Sequence, residues 1–161
     1  MHEMPYKLPT HYNGMRIKLR VPYTMAGLND VAANTGGIEF PDSTFLHSVE
    51  LPFEVWDAQI HGAQLDAQNI PIAPPAPGID WFWSVRMQAL SKNQALTKNT
   101  QLVQSLKDRN TEGWFWRQPW TLERAEGFVV SVDNALAANA LRASITFRGF
   151  LIILAPPSET R

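Results

Sequence analysis

The sequence contains no cysteine, and this absence removes several kinds of chemistry. Cysteine-bound zinc, iron–sulfur clusters and thiol catalysis all need a side chain that none of the 161 residues supplies. Charged residues are also scarce, at 18% of the chain, where soluble domains have roughly 25%. The few charges nearly cancel to a net charge of −1, so there is no basic field to attract nucleic acid. We therefore do not expect nucleic acid as a partner.

Long apolar runs and a recognisable leader are missing as well. No stretch reaches the roughly 18 consecutive apolar residues that a membrane span needs. The first residues, Met-His-Glu-Met-Pro-Tyr, lack the basic and then apolar regions of a secretory signal. We expect a protein that is made in the cytoplasm and has no membrane partner.

Catalytic and metal-binding motifs are the third absence. The four histidines, at positions 2, 11, 47 and 61, have no spacing typical of a zinc site or a cupin-type metal site. No Gly-x-Ser-x-Gly elbow and no phosphate-binding loop is present. Glu50 and Glu54 share one face of a predicted strand about 13 Å apart, wider than a glycosidase acid pair, so we interpret them as solvating or cation-pairing groups. The sequence predicts no enzyme, no cofactor and no metal.

What the chain does contain is a heavy load of aromatic side chains, with six tryptophans and eight phenylalanines. Two Trp-Phe-Trp triplets, at 81–83 and 114–116, must point to both faces of any strand that holds them. Some rings therefore face away from the core and are candidates for subunit contacts, or as an alternative for stacking on sugars. The tryptophans assigned to such contacts are Trp81, Trp83, Trp116 and Trp120.

The clearest strand is the last one, 141–154. Up to Phe147 its apolar and polar residues alternate, which predicts one buried face. After Gly149 both faces are apolar, so both need a cover. One cover is the core, and the other is either a further layer of the same chain or a neighbouring subunit. Gly149 is the expected place for a bulge or a close backbone approach, and the subunit contacts assigned to this strand are Phe150, Ile152 and Leu154.

The rest of the chain supports a fold of strands joined by long connections. We predict an extended Pro-rich arm over 1–14, then one domain over 15–161 with a Pro-rich projecting loop at about 57–80. Further strands are predicted at 15–21, 45–56, 81–89, 114–122 and 128–132, with a long loop at 22–44 that pairs briefly near 38–40. A short helix or an irregular segment is expected at 99–109. This pattern predicts an all-β, antiparallel β-sandwich of jelly-roll type.

The first predicted strand has one wholly basic face, formed by Arg16, Lys18 and Arg20. Such a face suits an edge strand whose positive charge deters unwanted pairing. The alternative, which we favour less, is a stripe that binds anions.

In its Pro-rich start, its long loops and its C-terminal strand Arg142-Ala-Ser-Ile-Thr-Phe-Arg-Gly-Phe150, the chain resembles the small jelly-roll proteins of tailed-bacteriophage virions, in particular capsid decoration or cement proteins. The resemblance covers the architecture of most of the chain. It implies a non-enzymatic protein, made in the host cytoplasm and often trimeric, that sits on the capsid surface of the virion. There it would brace contacts between subunits of the major capsid protein.

Physical reasoning from the residues leads to self-association as well. Low charge density, many aromatics and a strand apolar on both faces leave apolar surface that symmetric oligomers commonly bury. We expect a homo-oligomer, with a trimer favoured, whose basic face meets an acidic capsid surface. The alternatives are a carbohydrate-binding or tail-fibre-associated β-sandwich module, and an enzyme with a jelly-roll site.

Overall fold

The computed structural model describes residues 8–73, 77–90, 94–95, 100–107 and 113–157, and for 94–95 and 113–118 it describes the backbone. Within these ranges the chain is nearly all strand. The strands are β1 (His11–Tyr12), β2 (Met15–Val31), β3 (Thr35–Glu39), β4 (Phe53–Gln64), β5 (Trp83–Ala89), β6 (Gln94–Ala95), β7 (Gln101–Leu102), β8 (Gly113–Leu122), β9 (Phe128–Asn134) and β10 (Leu141–Leu154). Helix α1 (Val103–Leu106) and a 3₁₀ turn (Ile79–Trp81) complete them.

The strands form two antiparallel sheets. The first has the order β1-β2-β10-β4-β8, and the second has the order β3-β9-β5-β6, with β7 also paired to β5. Strands β2 to β5 alternate between the two sheets, and so do β8 to β10. The last strand lies beside the first long one. This is the strand order of a jelly roll, and it confirms the predicted all-β sandwich.

The core lies between the inner faces of the sheets. On β9 and on β10 up to Phe147, every second side chain is buried, as the alternation of apolar and polar residues predicts. Aromatic rings join the two layers. The ring centroid of Phe147 lies 4.3 Å from that of Phe128 on β9 and 5.0 Å from that of Phe45, which it meets edge-on.

Strand β2 is far longer than predicted and includes much of the expected loop at 22–44. It continues to Val31 because β10 pairs with it along its whole length, from Leu141 opposite Val31 to Leu154 opposite Ile17. Pro22 does not interrupt the strand. Among the described residues, β10 is its only neighbour at that point, and the outer edge of a sheet tolerates a residue without an N–H.

Strand β4 also differs from its prediction. It begins after Pro52 and runs to Gln64, so Asp57 to Gln64 belong to the sheet and the Pro-rich loop starts later than expected. The alternation in this part was hidden because small residues stand at inward positions, as Ala58 and Gly62 do. Residues 74–76 of the loop lie outside the described residues.

The N-terminal arm and the helix both differ from their predictions within the described residues. Residues 1–7 of the arm lie outside the described residues, and His11–Tyr12 pair with the start of β2 across an Asn13–Gly14 turn in which both residues have positive φ. The predicted helix is reduced to α1, which starts after Leu102 without a side-chain cap. Its last part, 108–109, is also outside the described residues.

Candidate functional site

The outer face of the first sheet is polar along the first half of β10. Arg142 donates to both carboxylate oxygens of Asp30 at 2.7 and 2.8 Å. Arg148 donates to both oxygens of Asp57 at 2.8 and 2.6 Å. The hydrogen bonds from Arg142 lower the pKa of the Asp30 carboxyl. This half is an ion-paired surface of the kind that faces water.

Gly149 marks the change to an apolar outer face. The register between β10 and β4 shifts between Arg148 and Gly149, because β4 holds an extra residue, Trp56, at this point. A Cβ on Gly149 would lie 1.8 Å from the carbonyl oxygen of Glu54. The predicted bulge and close approach are thus confirmed. Beyond the bulge the outward side chains of β10 are Phe150 and Ile152.

A buried carboxylate, Glu54, lies on this outer face with 2% of its side chain exposed. Arg20 Nε donates to Glu54 Oε1 at 2.9 Å and Arg20 Nη2 to Oε2 at 3.2 Å, while the Trp56 indole donates to Oε1 at 2.8 Å. The same guanidinium donates to the carbonyl oxygen of Pro9. Since β10 lies between β2 and β4, Arg20 must reach over β10. The buried charge is paired and hydrogen-bonded, as its stability requires.

Arg20 therefore has a different role from the one the sequence suggested. Arg16, Lys18 and Arg20 were expected to share one exposed basic face. Only Arg16 and Lys18 are exposed, whereas Arg20 is largely enclosed by its internal contacts. Glu50 and Glu54 both contact arginines, Glu50 with Arg124 and Glu54 with Arg20. They do not share an exposed strand face, however, because Glu50 precedes β4 and Glu54 is buried.

A bulge in β2 explains why the basic residues separate. Leu19 pairs with Ile153, but the next pair is Ile17 with Leu154, so Lys18 is an extra residue. Paired residues on adjacent strands share a face, and Leu154 belongs to the outer face. The bulge consequently places the side chain of Ile17 on the outer face, opposite to the face of Leu19.

The residues before this bulge form what we call the N-terminal flap, residues 8–17. Two side-chain contacts fasten it: the Arg20 guanidinium on the Pro9 carbonyl, and the Tyr12 hydroxyl, which donates to Glu123 Oε1. Glu123 follows β8, at the edge of the sheet opposite to β2. The flap therefore crosses the outer face from one edge toward the other. No pattern in the sequence predicted that the flap crosses this face. The sequence did predict that the end of β10, which is apolar on both faces, is covered on both.

The titration of Tyr12 reflects its contact with Glu123. Burial first, and then the hydrogen bond and the charge of Glu123, raise the pKa of Tyr12 to about 12; the charge of Glu126 acts in the same direction and a hydrogen bond with Asn13 opposes it. The folded-state pKa lies above the ordinary value of 10.0. The stabilisation from this contact is therefore complete below that value and is lost as the pH rises through about 12.

The flap limits which of the subunit contacts predicted for β10 are exposed. Ile152 lies on the covered face and is 1% exposed. It is enclosed by its own chain and is not available to a neighbour in this arrangement. Phe150 and Leu154 are half-buried. The second cover of this strand is thus largely a layer of the same chain.

Trp83, another predicted contact, is fully buried in the core. Its indole donates to Asp80 Oδ1 at 3.1 Å, and Lys107 Nζ donates to Asp80 Oδ2 at 2.7 Å. The ring lies against Gly62, where a Cβ would come within 2.7 Å of it. A consecutive Trp-Phe-Trp sequence therefore places this ring inside, and its neighbours outside.

The other predicted tryptophans divide differently. Trp81 has 62% of its surface exposed, and the adjacent Phe82 is exposed as well. Trp120 is partly buried and packs against the core. The side chain of Trp116 lies outside the described residues. Trp81 and Phe82 thus remain as a surface aromatic pair.

A second apolar surface lies at one end of the sandwich, on the inner face of the first sheet. Leu19 and Val21 continue the inward row of β2 beyond Tyr23, yet Leu19 is 53% exposed. Exposed leucines of the segment 45–52 lie at the same end, where His47 N–H donates to the Glu126 carbonyl oxygen and Ala125 N–H donates to the His47 carbonyl oxygen, both at 2.8 Å. Inside the segment, Nε2 of the buried His47 ring is 2.7 Å from the Leu51 carbonyl oxygen. We call this surface the end strip; it consists of Leu19, Val21, Leu46 and Leu51.

The alternation of the first strand places Leu19 and Val21 on the face opposite to its basic residues, but it does not tell how much of that face is exposed. Tyr23 packs against the core, whereas Val21 and Leu19, the next residues of the same row, are 38% and 53% exposed, so the cover of this face ends between Tyr23 and Val21. How far one sheet extends over another is a tertiary property that a two-residue period does not contain.

Metal-ligand clusters and long apolar helices are both missing from the described residues. In the part of the chain that the structure describes, no three His, Asp or Glu side chains gather in a way that could hold a metal ion. The same part has no helix of the length and apolarity that a membrane crossing requires. No known family model matches the chain, and neither curated proteins nor solved structures give a match. Fold and surfaces are what remain to indicate function.

Proposed function

We propose that this chain is a non-enzymatic, homo-oligomeric structural protein of a virus particle, of the capsid decoration or cement type. The observation that carries the proposal is the end strip, four partly exposed aliphatic side chains at one end of a jelly roll. Jelly rolls occur in viral capsid domains as well as in lectins and cupins. The resemblance to phage decoration proteins supports the first of these.

The end strip suits contact between copies because it is apolar and uncharged. Contiguous apolar surface on a soluble domain commonly marks an interaction site. Around a symmetry axis, copies of one strip bury each other, which closes the assembly without leaving an apolar patch in water. A trimer of this kind would place three jelly rolls side by side on a shell.

Attachment to a capsid would use a different surface. Arg16 and Lys18 are exposed near the start of β2, and they would face an acidic patch on the major capsid protein. Charge pairs at the rim of an interface speed and orient association more than they strengthen it. We expect the apolar contacts to supply most of the affinity between copies.

The self-association is tested by placing a charge in the end strip. Leu19→Glu combined with Leu51→Glu should convert the oligomer into a monomer, because two carboxylates would lose their hydration on association. Size-exclusion chromatography with light scattering measures the mass over a range of concentrations. The matched control is Leu28→Glu, on the same strand and 65% exposed but on the opposite face, and it should leave the mass unchanged. A wild-type protein that is monomeric at every concentration would contradict the proposal.

A carbohydrate-binding module is the second candidate, and the exposed pair of Trp81 and Phe82 is the observation in its favour. Aromatic rings at the surface can stack on sugar rings. If this function is right, simple glycans should quench tryptophan fluorescence in the wild type, and Trp81→Ala should abolish the response. The control is Trp83→Phe, a change in the buried neighbour. Equal quenching in wild type and Trp81→Ala would remove this candidate.

A further inference from the structure

The N-terminal flap covers a surface that differs from the rest of the outer face. Along the first half of β10 the outward side chains form ion pairs, such as the one between Arg148 and Asp57. Beyond Gly149 the outward side chains of β10 are apolar. The footprint of the flap is therefore distinct in chemistry from its surroundings, and it consists of Phe150, Ile152, Trp56 and the buried pair of Glu54 with Arg20.

The contacts of the flap are of two kinds. Within the flap, β1 forms two residue pairs with β2, and Ile17 N–H donates to the Thr10 carbonyl oxygen at 2.9 Å. Between the flap and the rest of the sheet, Arg20 contacts Pro9 and Tyr12 contacts Glu123. The end of the β2–β10 ladder adds Ile17 opposite Leu154 and a hydrogen bond of 2.9 Å from Ala155 N–H to the Arg16 carbonyl oxygen. The flap joins the rest of β2 at the bulge, whose extra residue is Lys18.

This arrangement satisfies the requirements for exchange between copies. A segment that packs on its own domain through a hinge can pack on the same site of an identical domain and form the same contacts, which is an inexpensive route to an oligomer. The footprint would find its apolar and hydrogen-bonding partners equally in a flap from a second copy. Straightening β2 at the extra residue Lys18 would direct the flap away from its own sheet.

We propose that in the assembled oligomer the N-terminal flap of each copy lies on the outer-face footprint of a neighbouring copy. The occupant is residues 8–17 of a second chain, and the fastening points are its Pro9 carbonyl and its Tyr12 hydroxyl. The inference rests on the proposed self-association and adds the element that links the copies. Under this inference, the subunit contact predicted for Ile152 is a contact with the flap of a neighbouring copy.

The absence of cysteine makes a direct test possible, because introduced thiols are the only ones in the chain. His11→Cys and Arg124→Cys lie next to the Tyr12–Glu123 contact, at exposed positions, and leave both contacting residues in place. The two single variants are unfolded together, refolded as a mixture and treated with a short bis-maleimide. Exchange predicts a covalent dimer that contains one chain of each variant, identified by mass spectrometry.

The controls separate exchange from collision and from an intrachain flap. Leu28→Cys mixed with Arg124→Cys should give no dimer, because residue 28 is far from the flap along β2. The double variant His11→Cys/Arg124→Cys should give linked oligomers under exchange, and a linked monomer if the flap stays on its own chain.

Each outcome decides the inference. A heterodimer in the first mixture without one in the Leu28 control supports exchange. Only intrachain products, in a protein that light scattering shows to be oligomeric, overturn exchange and leave the proposed self-association standing. Only intrachain products in a monomer overturn both. No linked product at all also overturns exchange, since the flap would then not lie beside the turn after β8.

Discussion

Gly149→Ala is expected to destabilise the protein by about 3 kcal/mol or more, or to prevent folding. The added methyl would lie 1.8 Å from the Glu54 carbonyl oxygen and 2.8 Å from its carbonyl carbon. Both atoms are backbone in the centre of the first sheet, so neither can turn aside as a flexible side chain can. Relief requires β10 and β4 to separate at the bulge, which would break the pairing around it. Urea or thermal unfolding followed by circular dichroism measures the loss.

The matched control for this substitution is Gly14→Ala. Gly14 also resists replacement, but for a different reason: its φ is +78°, and no atom lies within 4 Å of a Cβ placed there. The expected cost is about 1 kcal/mol of backbone strain, confined to the hairpin turn. If Gly149→Ala were as mild as Gly14→Ala, the close approach of β10 to β4 described above would be incorrect.

Arg20→Ala is expected to cost about 3–5 kcal/mol, the range found when one partner of a buried ion pair is removed. Glu54 would keep its hydrogen bond from Trp56 but would lose the cation that balances its charge. The same substitution would free the Pro9 carbonyl. Hydrogen exchange should therefore rise in residues 8–17 before it rises in the core, a result that simple loss of packing would not give.

Two further variants test the reasoning for Arg20. Arg142→Ala removes an equally well-formed bidentate pair with Asp30, but one whose side chains are 32% and 44% exposed, and it should cost far less stability than Arg20→Ala because water already screens this pair. Glu54→Gln added to Arg20→Ala should restore part of the lost stability, because it removes the unbalanced charge. If Arg20→Ala cost no more than Arg142→Ala, Glu54 would not be the buried carboxylate that the structure shows.

Local pattern was enough to predict several strands and the all-β class of this fold, but neither the pairing of the strands nor the surfaces that they form. The strands with clear alternation, β5, β9 and β10, lie where the sequence places them, and Gly149 lies at the expected bulge. Alternation failed where Pro22 and small residues such as Ala58 interrupt it, because pairing with the long β10 overrides local preference there. Alternation with a period of two depends on the residues of a single strand. The pairing of strands depends on residues that are distant in the sequence.

The composition of the candidate surfaces was harder to predict from the sequence, for the same reason. That residues 150–154 need two covers follows from their composition. That one cover is residues 8–17 depends on the bulge at Lys18, which has no mark in the sequence. Arg20 could be placed on a polar face, but its partner Glu54 is two strands away in the sheet. Contacts that skip a strand are set by tertiary geometry.

The pairing of β2 with β10 also has a consequence for biosynthesis. These strands lie near opposite ends of the chain and pair from Val31 with Leu141 to Ile17 with Leu154. The centre of the first sheet therefore stays incomplete until residues 141–154 have left the ribosome. Such distant pairing makes folding slow, and a chain terminated before these residues would lack the strand that joins β2 to β4. The sheet can close only in molecules that contain this strand.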